Sequence, residues 1–319
     1  MGKSKSILKV VLPLLLGIGL VWYSLSKISV SLLVQYFTDA NYSWIILGVI
    51  LGLLSHASRA YRWLFMAEPL GFKPKFLNSF MAVYSAYLIN FTIPRAGEIA
   101  RASIITNYED IPFDIGFGTI VAERIADTIM LLLIIAIAFF LEFEFIYDFF
   151  SSKFNPSALI LGGIVFFAGA LGLFLFIRKS SSKFALKVKS FLSGLIEGAL
   201  SIFKMKKKWA FIGHTIFIWL MYVLMFYVTT FALPELQKIS IAAILIGFIL
   251  ASFSIAATNG GIGSFPEAVV IAFSLFGMAE DPSRAFGWIM WSTQTLVIIV
   301  LGGLSLLYLP IYNRKKTSV

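Results

Sequence analysis

The sequence predicts an all-α polytopic membrane protein with about six full transmembrane helices and two broken or re-entrant helical hairpins, up to about eight to ten hydrophobic segments in all. Three observations lead there. The chain of 319 residues is 59% hydrophobic and 13% charged. Its apolar residues fall in runs of about 20, the length that crosses a hydrocarbon core about 30 Å thick. Two further apolar stretches are interrupted by proline, glycine and charge, which a simple lipid-facing span would exclude.

The first run, residues 7 to 26, follows Lys3, Lys5 and Lys9, and Ser24 to Lys27 lacks the small-residue pattern of a cleavage site, so it reads as a retained helix. Further full spans are expected at residues 43 to 66, 115 to 141, 157 to 177, 209 to 231 and 284 to 309. Lysines at the N-terminus and Arg314, Lys315 and Lys316 at the C-terminus place both ends on the cytoplasmic side, so the number of crossings is even. Residues 27 to 42 then lie outside, Lys73 and Lys75 inside, Glu142, Glu144 and Asp148 outside, the basic stretch 178 to 208 inside, and Glu235 to Lys238 outside.

This scheme requires residues 78 to 107 and 240 to 279 each to begin and end on one side, so each is a hairpin. The first breaks at Pro94 and Gly97 after a helix of about 24 Å. Its return arm carries Arg95, Glu98 and Arg101, which cannot face lipid along a full span. The second breaks within TNGGIGSFPE, residues 258 to 267, and its longer arms leave a pair of complete crossings open. Within one integral membrane domain, residues 1 to 319, residues 43 to 141 and 209 to 309 both read helix, broken hairpin, helix from opposite sides. That is an inverted repeat, an architecture of transporters. Residues 142 to 208 join the halves through a helix and a basic segment whose apolar face, from Phe184 to Phe203, suits the cytoplasmic interface.

The absence of cysteine excludes disulfides and thiolate chemistry, and two distant histidines, His56 and His214, offer little to a metal. No cofactor is expected. The formal charge of +10 is concentrated between Arg178 and Lys208, which points to anionic lipid at a cytoplasmic-type membrane rather than to nucleic acid. No catalytic triad spacing, phosphate loop or His-Glu metal pair appears, so nothing indicates an enzyme.

The charge that remains inside apolar sequence is the candidate site. In NFTIPRAGEIARAS, residues 90 to 103, Glu98 and Arg101 are spaced to pair on one helical face, with Arg95 one turn before. Pro94 suits a helix start, whose free amides would add to the attraction of an anion such as a lipid phosphate, and Asn90 is placed to bond amides freed at the break. In VAERIADTIMLLL, Arg124 and Asp127 are spaced to pair, while Glu123 and Asp127 share a face; these groups balance the arginines of the hairpin, lock helices together, or carry protons. Asn259, Gly260, Gly261, Gly263 and Glu267 echo the break and its charge in the second half. His56, Arg59 and Arg62 are expected to snorkel to headgroups at the end of their helix.

RAYRWLFM, the pattern Asn90, Pro94, Arg95, Gly97, Glu98 and Arg101, then Glu123, Arg124 and Asp127, and finally GGIG with Glu267 together resemble the transmembrane region of lysylphosphatidylglycerol synthases, the flippase-like or UPF0104 family. The likeness covers nearly the whole chain. It departs at Asn259, where a proline is common. The resemblance implies a membrane translocator that moves aminoacylated, isoprenoid or other anionic phospholipids between leaflets of a bacterial-type cytoplasmic membrane. With Val319 ending the chain before any soluble aminoacyltransferase, lysyl-lipid synthesis is not expected. The alternatives are a small-anion or ion-coupled secondary transporter, and a non-transporting membrane partner of a lipid-modifying or glycosyl-transferring enzyme. A homo-oligomer is a further possible assembly.

Overall fold

A computed structural model describes residues 3–93, 96–144, 147, 151, 156–180, 182, 185, 186, 189 and 205–314. Among these, eleven α-helices and no strand are present. In order they are α1 (Lys3–Ser26), α2 (Val30–Asp39), α3 (Tyr42–Ala67), α4 (Phe76–Thr92), α5 (Ala96–Glu109), α6 (Phe113–Leu141), α7 (Pro156–Lys179), α8 (Lys208–Thr230), α9 (Ile241–Ala257), α10 (Ser264–Ser274) and α11 (Glu280–Tyr312). Four elements, Tyr42–Leu70, α6, α8 and α11, are long and apolar enough to cross a membrane. A fifth span arises if α2 and the end of α1, bent by 85° at their junction, count as one. α7 has 24 residues, the length expected of the crossing read at residues 157 to 177. Large apolar side chains such as Leu133 and Phe140 on α6 and Leu307 on α11 are exposed, which in a chain of this hydropathy marks a surface solvated by hydrocarbon.

Residues 27 to 42, read as lying outside the membrane, are largely helical. VSLLVQYFTD forms α2, started by the Ser29 side chain, which accepts from the Leu32 amide at 3.3 Å. The second hairpin is also settled. α10 has 11 residues and rises about 17 Å, too little for a crossing, so α9 and α10 form a broken pair like α4 and α5. The basic segment expected at the interface, residues 183 to 204, lies outside the described residues except for Ala185, Leu186 and Lys189.

α3 and α8 run antiparallel through the centre: Gly48 lies against Thr229, while Arg62 reaches Thr215. The surrounding contacts come in matched sets. α4 packs on α11 as α9 packs on α6; α5 packs on α6 as α10 packs on α11; and α3 touches α11 as α8 touches α6. The largest apolar core lies in the second half, where Phe226, Phe248, Phe273 and Phe286 pack against one another.

Candidate functional site

The first hairpin breaks after Thr92, where Ile93 turns to an extended conformation (φ −128°, ψ 111°). Pro94 and Arg95 lie outside the described residues. Across the break, the Gly97 amide donates to the Asn90 side-chain oxygen at 2.7 Å. Asn90 thus satisfies one of the free N–H groups at the start of α5, as a capping side chain does. A β-carbon at position 97 would run into the Ala86 carbonyl and the Asn90 side chain, so glycine here lets the arms meet.

Beside this break, α3, α5 and α6 assemble a buried ionic cluster. Glu123, fully buried, accepts from Arg59 at 2.8 Å and from both terminal nitrogens of Arg101 at 3.1 Å, with Arg62 at 3.4 Å. Asp127 accepts from Arg59, and from Arg62 at 3.1 Å; Trp219 of α8 adds an N–H at 3.4 Å. Arg62 also donates to Thr215 on α8 at 2.8 Å. These bonds tie four helices together, and the forked Arg101–Glu123 pair fixes geometry as well as charge. The pairing is physically required, because an isolated charge in hydrocarbon is far costlier than one held against its opposite.

Two expectations are corrected here. Arg59 and Arg62 do not snorkel; they are 3% and 0% exposed and point inward, with His56 also buried, because two carboxylates of α6 await them. Glu98 and Arg101 do not pair with each other. Arg101 turns to Glu123, and Glu98 lies 3.7 Å from Arg124, which in turn stands 3.8 Å from Asp127, the spacing-predicted partner. Tertiary carboxylates outcompete the local one because they offer several bonds in a dry site.

Four arginines, 59, 62, 101 and 124, face three carboxylates, 98, 123 and 127, leaving one net positive charge. The outer part of the cluster differs from its interior: the side chains of Arg124 and Glu98 are 42% and 28% exposed. Glu98 Oε2 and the Nε atoms of all four arginines have no hydrogen-bond partner. Asn90, Glu98, Arg101 and Arg124, with Tyr87 and Ala86, line a crevice of ≈ 10 Å³. That is room for about one water, so this conformation is closed.

The second break is a run of left-handed glycines, Gly260, Gly261 and Gly263, with φ of 66°, 79° and 69°. These conformations suit glycine and strain other residues. Gly263 starts α10 directly against the backbone of Leu20 and Val21 in α1, and Phe91 of the first hairpin packs on Gly260. The two hairpin tips therefore touch. Asn259 is buried beside them.

Glu267 belongs to a separate group. It accepts from Ser24 at 2.6 Å and from Arg284 at 2.9 Å, while the Trp288 indole donates to Ser24 at 3.2 Å. All its polar partners given by the structure lie on α1 and α11, none in the Glu123 cluster. Each hairpin is thus tied through its return arm to the next long helix by a buried ion pair, with the charges exchanged: Arg101 to Glu123 in one half, Glu267 to Arg284 in the other. Sequence reasoning missed Arg284, although its position four residues after Glu280, opening an apolar run, was a signal of pairing. Ser24, Thr215 and Trp219 carried no such signal.

Comparisons with known proteins place the chain in a family. The chain is 23% identical over 318 residues, covering 92% of each chain, to a UPF0104 membrane protein of Methanocaldococcus jannaschii. No solved structure matches it. Residues 10–303 match the lysylphosphatidylglycerol synthase TM region, and the chain belongs to that family of multi-pass membrane proteins.

Proposed function

We propose that the chain is a lipid translocator, moving a phospholipid or other lipid with an anionic headgroup between leaflets of a cytoplasmic membrane. The observation that carries this reading is the net-positive cluster at the first hairpin break, with its partly exposed Arg124–Glu98 edge. A phosphate suits that edge, because it accepts from several N–H groups while neutralising one charge. The lipid tails stay in the hydrocarbon that surrounds the helices.

The closed crevice requires a second conformation. Residues 43 to 141 and 209 to 309 act as an inverted repeat with both termini cytoplasmic, joined by residues 142 to 208, and the matched contacts between halves support that division. Rocking of one half against the other separates the touching tips at Phe91 and Gly260 and opens the crevice to the opposite side. The interior pairs of Glu123 and Asp127 serve as structural locks.

The test uses the pure protein in liposomes containing head-labelled phosphatidylglycerol, its lysyl ester or an isoprenoid phosphate, with and without a pH gradient. Exchange of one of these above the protein-free rate is expected. A small-anion carrier is the second reading, favoured by the narrowness of the crevice. Flux of a soluble anion with no lipid exchange would establish it instead, and neither activity would leave the role of a partner for a lipid-modifying enzyme.

A further inference from the structure

On another side of α3 and α8, apart from the ionic cluster, the two helices and the first turn of α4 border an open groove of ≈ 570 Å³. Ligand sites typically measure about 300–1,000 Å³, so the groove is large enough to hold one. Its lining is mainly apolar and includes Leu54, Tyr61, Phe76 and Phe217. Because α3 and α8 are two of the apolar spans, it opens where hydrocarbon surrounds the protein.

Two features bear on what the groove can hold. The first is a polar pair in its wall: Ser58 Oγ and His214 Nδ1 lie 2.7 Å apart, and the Tyr61 and Phe65 rings pack on the imidazole at 5.3 and 5.6 Å. An ionisable side chain within a span marks a ligand path more often than a packing site. That bond leaves Nε2 as a second ring nitrogen for a ligand. The second is Gly213. It weakens the interior of α8, yet nothing lies within 4 Å of where its β-carbon would stand. It lines the groove, so a larger side chain at this position would enter it.

We propose that this groove holds one hydrocarbon chain of an anionic membrane lipid, with the Ser58–His214 pair hydrogen-bonding the polar group at the head of that chain. Lys206 and Lys208, at the start of α8 within about one turn of Ala210 in the groove lining, supply positive charge at the level of the phosphate. The groove is a site distinct from the crevice at the hairpin break, and its geometry does not depend on transport.

The experiment places the full chain in phosphatidylglycerol nanodiscs doped with phosphatidylglycerol or isoprenyl phosphate bearing a chain-borne diazirine, and maps photolabels by mass spectrometry. Labels should concentrate on the α3 and α8 peptides containing Tyr61 and Phe217, and the probe that gives them identifies the chain. Gly213→Phe, which fills the groove, should lower that labelling about tenfold, equivalent to about 1.4 kcal/mol. Gly303→Phe on α11, also with nothing within 4 Å, should not. Gly213→Leu provides the same reading if phenylalanine lowers the yield of folded protein. Labels spread evenly over all lipid-facing helices, or unchanged on α3 and α8 when position 213 is filled in folded protein, would overturn the proposal. Concentrated labelling without leaflet exchange would leave the groove standing and remove the translocator reading.

Discussion

Glu123→Gln and Arg124→Gln change adjacent residues and should have opposite consequences. Glu123 is fully buried, accepts from Arg59 and Arg101, and lies 3.4 Å from Arg62. Glutamine keeps the shape but removes the charge, raising the net charge of the cluster from one to two and leaving three buried guanidinium groups short of a counterion. Removing one partner of a buried pair costs about 3–5 kcal/mol. Arg124, with its side chain 42% exposed and its nearest carboxylate at 3.7 Å, makes only loose ion pairs, so its loss should cost less than that of Glu123. Denaturant unfolding in mixed micelles, followed by tryptophan fluorescence, measures both. The refuting result is a Glu123→Gln loss under about 1 kcal/mol, or an Arg124→Gln loss as large as that of Glu123→Gln. Either would mean that the division into locked interior and free edge is wrong.

Three further outcomes are expected. Gly263→Ala should destabilise by more than the about 1–3 kcal/mol of an unfavourable backbone conformation, because the new β-carbon also strikes α1; Gly277→Ala, with φ 74° and no neighbour within 4 Å, should show the backbone component alone in the same thermal-shift assay. Asn90→Ala should cost about 0.5–2 kcal/mol through loss of the cap and speed hydrogen exchange at the Gly97 amide, while exchange in the middle of α6 stays unchanged. Glu267→Gln should destabilise by about 3 kcal/mol, since Arg284 is 2% exposed and loses its closest partner, whereas Ser24→Ala should cost about 1 kcal/mol; comparison of the two unfolding midpoints checks the order.

The spans were legible because hydrocarbon demands long apolar runs, and the breaks at residues 93 to 97 and 258 to 263 because proline, glycine and charge interrupt them. The hydrogen bond from Gly97 to Asn90 was legible as well, being local: the asparagine closes α4, and the free amides at the start of α5 follow it within a few residues. What escaped was the choice among distant partners. Arg59 and Arg62 lie near the end of α3, where snorkelling is the sensible reading of a single helix. Only the arrival of α6 with Glu123 and Asp127 turns them inward. By the same physics, Arg101 abandoned its neighbour Glu98 for a forked bond to Glu123 that helical spacing does not reveal. Ser24 and Arg284, more than two hundred residues apart, meet on Glu267 because α1 packs on α10, and no local pattern encodes that contact.

The most direct measurement compares leaflet exchange of head-labelled anionic lipid by the wild type and by Arg124→Gln, each reconstituted at equal density with its unfolding midpoint recorded. Arg124 joins the edge of the cluster to the crevice without bearing the load of the fold. A translocator that holds phosphate at this edge predicts wild-type exchange that is lost in the variant while the unfolding midpoint stays in place. Undiminished exchange in the variant, or exchange and stability falling together, would contradict it.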